Sequence, residues 1–159
     1  MIDYTEHTSP LGTLLLAATE QGLCGLYFEE HKYFSGPQGW RRCSDNPHLQ
    51  HTVHQLDEYF AGARNAFDIA LDLRGTPFQA AVWRELLALP FGSRSTYQEI
   101  ARRIANPKAV RAAGTAIGRN PVSIIVPCHR VLGASGGLSG YAGGLQRKQY
   151  LLAHEQSVI

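Results

Sequence analysis

Residues 96–118 read Thr96-Tyr97-Gln98-Glu99-Ile100-Ala101-Arg102-Arg103-Ile104-Ala105-Asn106-Pro107-Lys108-Ala109-Val110-Arg111-Ala112-Ala113-Gly114-Thr115-Ala116-Ile117-Gly118. Thr96 with Glu99 three residues later is the pattern of a capping box, in which each side chain satisfies a backbone donor that the first helical turn leaves orphaned. It predicts a helix opening at Thr96. Asn106-Pro107, a cap residue with proline at the first helical position, predicts a second helix running to about Gly118. A loop of about four residues between them has the proportion of a helix-turn-helix. The second helix carries very small side chains, Ala109, Ala112, Ala113, Gly114 and Ala116, with Lys108 and Arg111 near its start. Such a face suits a tight helix–helix contact; with basic residues beside it, close approach to a nucleic-acid groove is favoured.

Working outward, Thr76 caps another helix with Pro77 at its first position, and Phe78, Val82, Leu86 and Leu89 line one face until Pro90. Before it, segments 1–7, 11–18 and 23–28 are short, rich in Leu, Tyr, Thr and Phe, and separated by Ser9-Pro10 and Gln21-Gly22, so they predict an antiparallel sheet. Residues 31–47 have no period and form a loop. Leu49, Val53, Leu56, Tyr59 and Phe60 recur at helical spacing from His48 to Gly62, and Phe67 to Leu73 alternates like one more strand. The fold class is therefore α+β, with residues 1–75 as a supporting α/β domain and residues 76–159 as a helical domain.

Of the 159 residues, 44% are hydrophobic and 18% charged, an ordinary globular composition, and the net charge is only +2. That total conceals a division. Residues 1–75 hold five basic against ten acidic residues, a net of −5, and residues 76–159 hold ten against three, a net of +7. The basic half suits a polyanion, most often nucleic acid, and the acidic half is expected to stay away from it. The longest apolar run, Leu14 to Ala18, is far short of a membrane span. Asp3 and Glu6 at the start do not read as a secretory signal. Cys24, Cys43 and Cys128 cannot all pair within the chain, which suggests a reducing compartment and a cytoplasmic location.

Asn120 to Arg130 reads Asn-Pro-Val-Ser-Ile-Ile-Val-Pro-Cys-His-Arg, a mostly apolar stretch between Pro121 and Pro127 that delivers Cys128 beside His129. A thiol with an ordinary pKa of about 8.5 is mostly protonated at neutral pH and needs a base or a positive charge to react. Adjacent residues on an extended segment point to opposite faces, so contact between Cys128 and His129 requires a bridging water or a turn at Pro127. Cys24, His31, Cys43 and His48 match no closed zinc spacing, so no metal is expected. Gly133 to Gly144 is glycine-rich but lacks the Gly-Lys-Ser/Thr of a phosphate cradle; it suits a pocket lined by backbone groups with Tyr141 as an aromatic wall. A last helix opens near Leu145, with Tyr150, Leu151 and Leu152 on its apolar side. Glu155, late in that helix and unfavourably placed against its dipole, calls for a specific partner.

These motifs resemble the O6-alkylguanine-DNA alkyltransferases, or methylated-DNA-protein-cysteine methyltransferases. The resemblance rests on Pro127-Cys128-His129-Arg130, Gly140-Tyr141-Ala142-Gly143-Gly144, Asn106-Pro107 before Ala109 to Arg111, and Leu151-Leu152-Ala153-His154-Glu155, and covers residues 76–159 almost continuously. It implies a ribonuclease-H-like first domain and a winged helix-turn-helix-like second one. It also implies irreversible, single-turnover transfer of an alkyl group from guanine O6 to Cys128, with no cofactor. His129 would act through a water as the base, Glu155 would orient His129, and Asn120 would brace the turn before the active-site strand. The damaged nucleotide would be flipped out of the duplex, Arg111 filling the vacated stack and Tyr97 crowding the target phosphate. Tyr141 would pack on the flipped guanine, and backbone groups around Val131 and Ala142 would read its edges. The helix carrying Lys108, Ala109, Ala112 and Gly114 would enter the minor groove.

The implied partner is double-stranded DNA carrying O6-alkylguanine, with O4-alkylthymine as a further candidate lesion. The protein would act as a monomer without an obligate protein partner, with cooperativity on DNA left open. Ala142 stands where some relatives have Ser and Tyr150 where many have Trp, and the first half lacks the zinc cluster of some relatives. Three other readings stand beside this one: a non-catalytic lesion binder, which Cys128 argues against; a thiol hydrolase using Cys128 and His129, which leaves the basic half unexplained; and a transcription regulator, for which no sensor segment is visible.

Overall fold

The chain begins with a hairpin, β1 (Asp3–Ser9) and β2 (Gly12–Ala18), whose tight turn is closed by Ser9: its hydroxyl accepts from the Leu11 N–H at 3.1 Å and donates to the Gly12 carbonyl at 2.7 Å. In this computed structural model, which describes residues 1–133 and 140–158, β3 (Leu23–Tyr27) pairs antiparallel with β2. These are the three strands the turn chemistry predicts. A fourth, β4 (Arg41–Arg42), comes from the segment read as a loop and pairs parallel with β1, giving a mixed sheet of order β3-β2-β1-β4. Two arginines carry no strand signal. The Arg41 guanidinium forks onto Asp3 at 2.9 and 3.1 Å and so holds β4 against β1.

Helix α1 (Pro47–Phe60) starts where Asn46 accepts from the His48 and Leu49 N–H groups, and it lays Leu49, Leu56 and Tyr59 on the sheet beside Leu14, Leu16 and Leu26, all fully buried. Each such side chain contributes about 1.5–3 kcal/mol relative to exposure. The strand expected over 67–73 is not formed. The segment is extended but touches β3 through a single bridge, Leu23 to Leu71. The Gln55 side chain both accepts from the Asp68 N–H and donates to the Asp68 carbonyl, taking the backbone groups that a ladder would use.

Helix α2 (Pro77–Leu87) has the full capping box of Thr76 and Gln79. It is followed by β5 (Ser95–Thr96), α3 (Tyr97–Arg103) and α4 (Val110–Gly118). Thr96 caps α3 by accepting from the Glu99 N–H, but the reciprocal half of the expected box is absent: the Glu99 carboxylate turns to Arg102 and Arg103. Helix α4 opens at Val110 rather than at Asn106, with no side-chain cap. Asn106 to Ala109 form a turn closed by the Ala109 N–H on the Asn106 carbonyl, so Lys108 and Ala109 precede the helix and the connection is longer than expected. A 3-10 turn (Cys128–Arg130), β6 (Val131–Leu132), parallel to β5, and α5 (Leu145–Ser157) complete the chain. Residues 134–139 of the glycine-rich segment lie outside the described residues. One buried cluster runs through both halves, from Leu14 and Tyr59 to Trp83, Ile117 and Leu151.

Candidate functional site

The segment leaving α4 runs beside β3, at the edge of the first half's sheet, before it reaches Cys128. Leu26 of β3 donates to the Pro121 carbonyl at 2.8 Å and accepts from the Ser123 N–H at 3.2 Å. Val122 to Val126 are buried, but as successive tight turns and not as the strand expected, because the N–H groups of Ile125, Val126 and Cys128 all bond within the segment itself. Ile124 sits at φ 72°, a left-handed conformation that a β-branched residue rarely adopts and that costs of order 1–3 kcal/mol. Asn120 braces the loop. Its Oδ1 accepts from the Val122 N–H at 3.0 Å, which orients its Nδ2 to donate to the Val126 carbonyl at 2.7 Å and to Cys128 Sγ at 3.1 Å.

A 3-10 turn has three residues per revolution, so Cys128, His129 and Arg130 diverge. His129 and Arg130 both reach Glu155. His129 Nε2 lies 2.7 Å from Glu155 Oε2; Arg130 donates from Nε to Oε1 at 2.8 Å, from Nη2 to Oε2 at 2.9 Å and from Nη1 to the Leu89 carbonyl at 2.7 Å. Tyr59 donates its hydroxyl to Oε2 at 2.7 Å, and the Gly92 N–H donates to Oε1 at 3.2 Å. This is the partner set that a carboxylate near the C-terminus of α5 required. Because an ionised carboxylate only accepts, the hydrogen of the imidazole sits on Nε2 and the lone pair on Nδ1. Nδ1 is buried and has no hydrogen-bond partner among the described residues.

The electrostatics follow from burial. Burial alone would raise the Glu155 pKa, but the hydrogen bonds from His129 and Arg130, with the Arg130 charge, override it and hold the carboxyl far below its ordinary range. Burial, with Arg130 and Lys148 nearby, lowers the His129 pKa despite Glu155, so the ring is neutral. Burial pushes the Cys128 thiol up, against the Asn120 N–H and the Lys148 charge. At rest the site therefore holds a neutral thiol, a neutral imidazole and a carboxylate. Chemically, such a set can supply a nucleophile, a base and an orienting group, one proton shift away from a reactive thiolate.

An open cavity of about 1150 Å³ is lined by Tyr97, Lys108, Arg111, Gly114, Tyr141 and Ala142 among others, and of these Tyr141 also acts on the Cys128 thiol. The buried hydroxyl of Tyr141 reaches toward Cys128 and Ser123 without hydrogen-bond geometry to either. A second groove of about 640 Å³ is lined by Ala109 and Ala112 with Thr76, Phe78 and Gln79; Lys108, Arg111 and Thr115 border both and form the ridge between them. The small-residue stripe is divided: Ala113 and Ala116 are buried, Trp83 Nε1 donating to the Ala116 carbonyl at 2.9 Å, whereas Arg111 and Ala112 are exposed.

The structure does not bring Val131 to the cavity wall. Its N–H bonds the Cys128 carbonyl, and its own carbonyl accepts from Lys148 Nζ at 2.7 Å. Tyr150 is exposed and not on the buried side of α5. The acidic half does not stay clear of the cavity either: Lys32 and Tyr33 line it, the Lys32 N–H bonds the Ala142 carbonyl at 2.9 Å, and the Arg119 guanidinium lies 4.2 Å from the Tyr33 ring centre. Sequence reasoning missed Arg130, Tyr59 and Lys148 at the site. For Arg130 a signal existed, because the basic half has only Glu85, Glu99 and Glu155 to pair with it. Tyr59 reads as one more apolar position of α1.

Residues 2–73 match the family model of the 6-O-methylguanine DNA methyltransferase ribonuclease-like domain, and residues 77–157 that of the DNA binding domain of the same family. Two similar relatives are both named methylated-DNA–protein-cysteine methyltransferase. That of Mycolicibacterium paratuberculosis is 49% identical over 157 residues, covering 98% of this chain and 93% of the relative; that of Methanosarcina acetivorans is 46% identical over 155 residues, covering 97% and 98%. Mycobacterium tuberculosis OGT, solved in complex with DNA, superposes with a TM-score of 0.91 at 46% identity over 98% of this chain and 94% of that one. With both halves matched and relatives aligned nearly end to end, the chain belongs to the 6-O-methylguanine DNA methyltransferase family.

Proposed function

We propose that the protein repairs duplex DNA carrying O6-alkylguanine by moving the alkyl group onto Cys128, once per molecule. The observation that carries this reading is the set of groups around the thiol: Asn120 is bonded to it, His129 is held by Glu155 with its basic nitrogen unpartnered among the described residues, and Tyr141 acts on the thiol while lining the cavity that Tyr97 and Arg111 also line. In the reaction the S–H proton passes through a water to His129 Nδ1. The sulfur attacks the alkyl carbon, the carbon–O6 bond breaks with its electron pair going to the guanine, and the guanine anion so formed takes up the one proton it lacks through water, balanced by the proton that the thiol gave to His129. Nucleophile, base and leaving group are all supplied by protein and substrate, so the step requires no cofactor. The product thioether is a poor leaving group, so Cys128 is not regenerated.

The target atom is out of reach in a stacked duplex, so the nucleotide is extruded into the cavity. Arg111, exposed on the ridge, takes its place in the stack, Tyr97 crowds the phosphate, Tyr141 packs on the base and the Ala142 backbone reads its edge. Lys108, Ala109, Ala112 and Gly114 face the minor groove. Lys32 and Tyr33 complete the wall from the first half, whose further role is to support the second. O4-alkylthymine presents the same alkyl–oxygen bond, and the reading extends to it. A single copy supplies every group used.

Incubation with a duplex containing O6-methylguanine, followed by intact mass and peptide mapping, should show one methyl group on Cys128. Folded protein that leaves Cys128 unmodified overturns the reading, and repeated turnover on an ester would assign a hydrolase instead.

A further inference from the structure

We infer that Tyr59, on α1 in the first half, is a positioning residue for thiol activation: its hydroxyl holds the Glu155 carboxylate in the place where it fixes which nitrogen of His129 faces Cys128. This inference rests on the alkyl-transfer reading. Tyr59 is fully buried, and its hydroxyl donates at 2.7 Å to Oε2, the same oxygen that His129 Nε2 meets at 2.7 Å and Arg130 Nη2 at 2.9 Å. Arg130 grips the carboxylate from one side as a fork. Tyr59 closes the other side, so the oxygen bonded to His129 cannot swing away.

The phenol is itself fixed in place. His154 Nε2 lies 2.7 Å from the Tyr59 carbonyl, which ties the same residue to the position preceding Glu155, and the ring packs against His154, Phe67 and Phe91 at centroid distances of 5.0, 5.3 and 6.1 Å. Burial first, then the Glu155 charge, raise the phenol pKa, so it remains a donor throughout the working range. The groups facing the carboxylate are His129 and Arg130 from the 3-10 turn, the Gly92 N–H after α2 and Tyr59 from α1. Tyr150 of α5 acts on Tyr59, and Lys148 lies beyond His129. Removing the hydroxyl leaves Oε2 more basic, with two consequences of the same sign. Glu155 protonates at higher pH, and its stronger pull on the His129 Nε2 hydrogen favours the imidazolium, which cannot take the thiol proton.

The test uses the full-length protein and Tyr59→Phe, which keeps the ring. Transfer rates from free O6-benzylguanine and from O6-methylguanine duplex are followed by intact mass between about pH 5 and 9. The acid limb should move up by about half to one pH unit, a roughly three- to ten-fold loss on the limb, shrinking toward the plateau and equal on both substrates. A loss uniform across pH, or none, overturns the inference. In a Glu155→Gln background Tyr59→Phe should shift nothing further; an additive shift also overturns it. Should the variant be too weakly active, ¹⁵N titration of the His129 ring reads the same effect without substrate: its apparent pKa should rise, and a titration identical to wild type is a refutation. Wild-type protein that never modifies Cys128 fails the alkyl-transfer reading, whereas active wild type with an unchanged Tyr59→Phe profile fails only this inference.

Discussion

Replacing Arg130 by alanine would leave Glu155 in the core as an anion stripped of its main counter-charge. The two residues are 6% and 1% exposed, so water cannot substitute for the lost guanidinium. The variant loses charge-assisted bonds at 2.8 and 2.9 Å and orphans the Leu89 carbonyl bonded at 2.7 Å. Removing one member of a buried ion pair costs about 3–5 kcal/mol. Against a total stability of about 5–15 kcal/mol this is a large fraction, and the melting temperature should fall by about 6–20 °C. The loss also depends on pH with a definite sign. In wild type the Glu155 pKa is lowered from 4.5, so its stabilising contribution is complete above that value and fades as pH falls through the folded value. In Arg130→Ala, burial pushes the carboxyl above its unfolded value, so protonation relieves the buried charge and the variant recovers part of its deficit in acid. Urea unfolding followed by the fluorescence of buried Trp83 should show the widest gap near about pH 8 and a narrower one near about pH 5. A deficit below about 1 kcal/mol, or one equal at both pH values, would refute the claim that Arg130 is the counter-ion of a buried carboxylate.

Two further predictions concern the cavity. Arg111→Ala should slow repair in duplex DNA by about ten-fold or more while sparing reaction with free O6-benzylguanine, because extrusion costs a few kcal/mol that the free base does not require; equal losses would remove Arg111 from extrusion. Lys32→Ala should leave the free-base reaction intact and reduce the slope of log affinity against log salt for duplex by about 0.9, and an unchanged slope would take the first half off the DNA. A third concerns packing between the halves. A Cβ at Gly143 would run into the Phe28 ring and stand 3.1 Å from Tyr141, so Gly143→Ala should cost about 1–3 kcal/mol by denaturant unfolding, with part of the loss recovered in Gly143→Ala/Phe28→Leu. Recovery of nothing would place the strain elsewhere.

Features that depend on neighbours in sequence were legible in advance. The Thr76 cap with Pro77, the hairpin turn at Ser9-Pro10 and the periodicity of α1 each rest on bonds or faces spanning a few residues. The failures share a cause. Glu99 has the spacing of a capping box, but Arg102 and Arg103 on the same helix compete for its carboxylate and win by charge. Phe67 to Leu73 alternates like a strand, but Gln55 on α1 takes the Asp68 backbone. The stretch before Cys128 is apolar enough for a strand, but Asn120 and the turns within the segment consume its backbone groups.

By itself the sequence determined the chemistry and its order along the chain: a cysteine between proline and histidine, a late glutamate needing a partner, a basic half with small residues, and through these the family. Tertiary structure decided how those groups are coupled. It gave Glu155 to Arg130 and Tyr59 as well as to His129, set Lys32 and Tyr33 against the cavity, and withdrew Val131 from it. Glu155 meets His129 across 26 residues and Tyr59 across 96. A buried charge takes whichever donors the packing of distant segments brings within reach, and no local periodicity or cap records that choice.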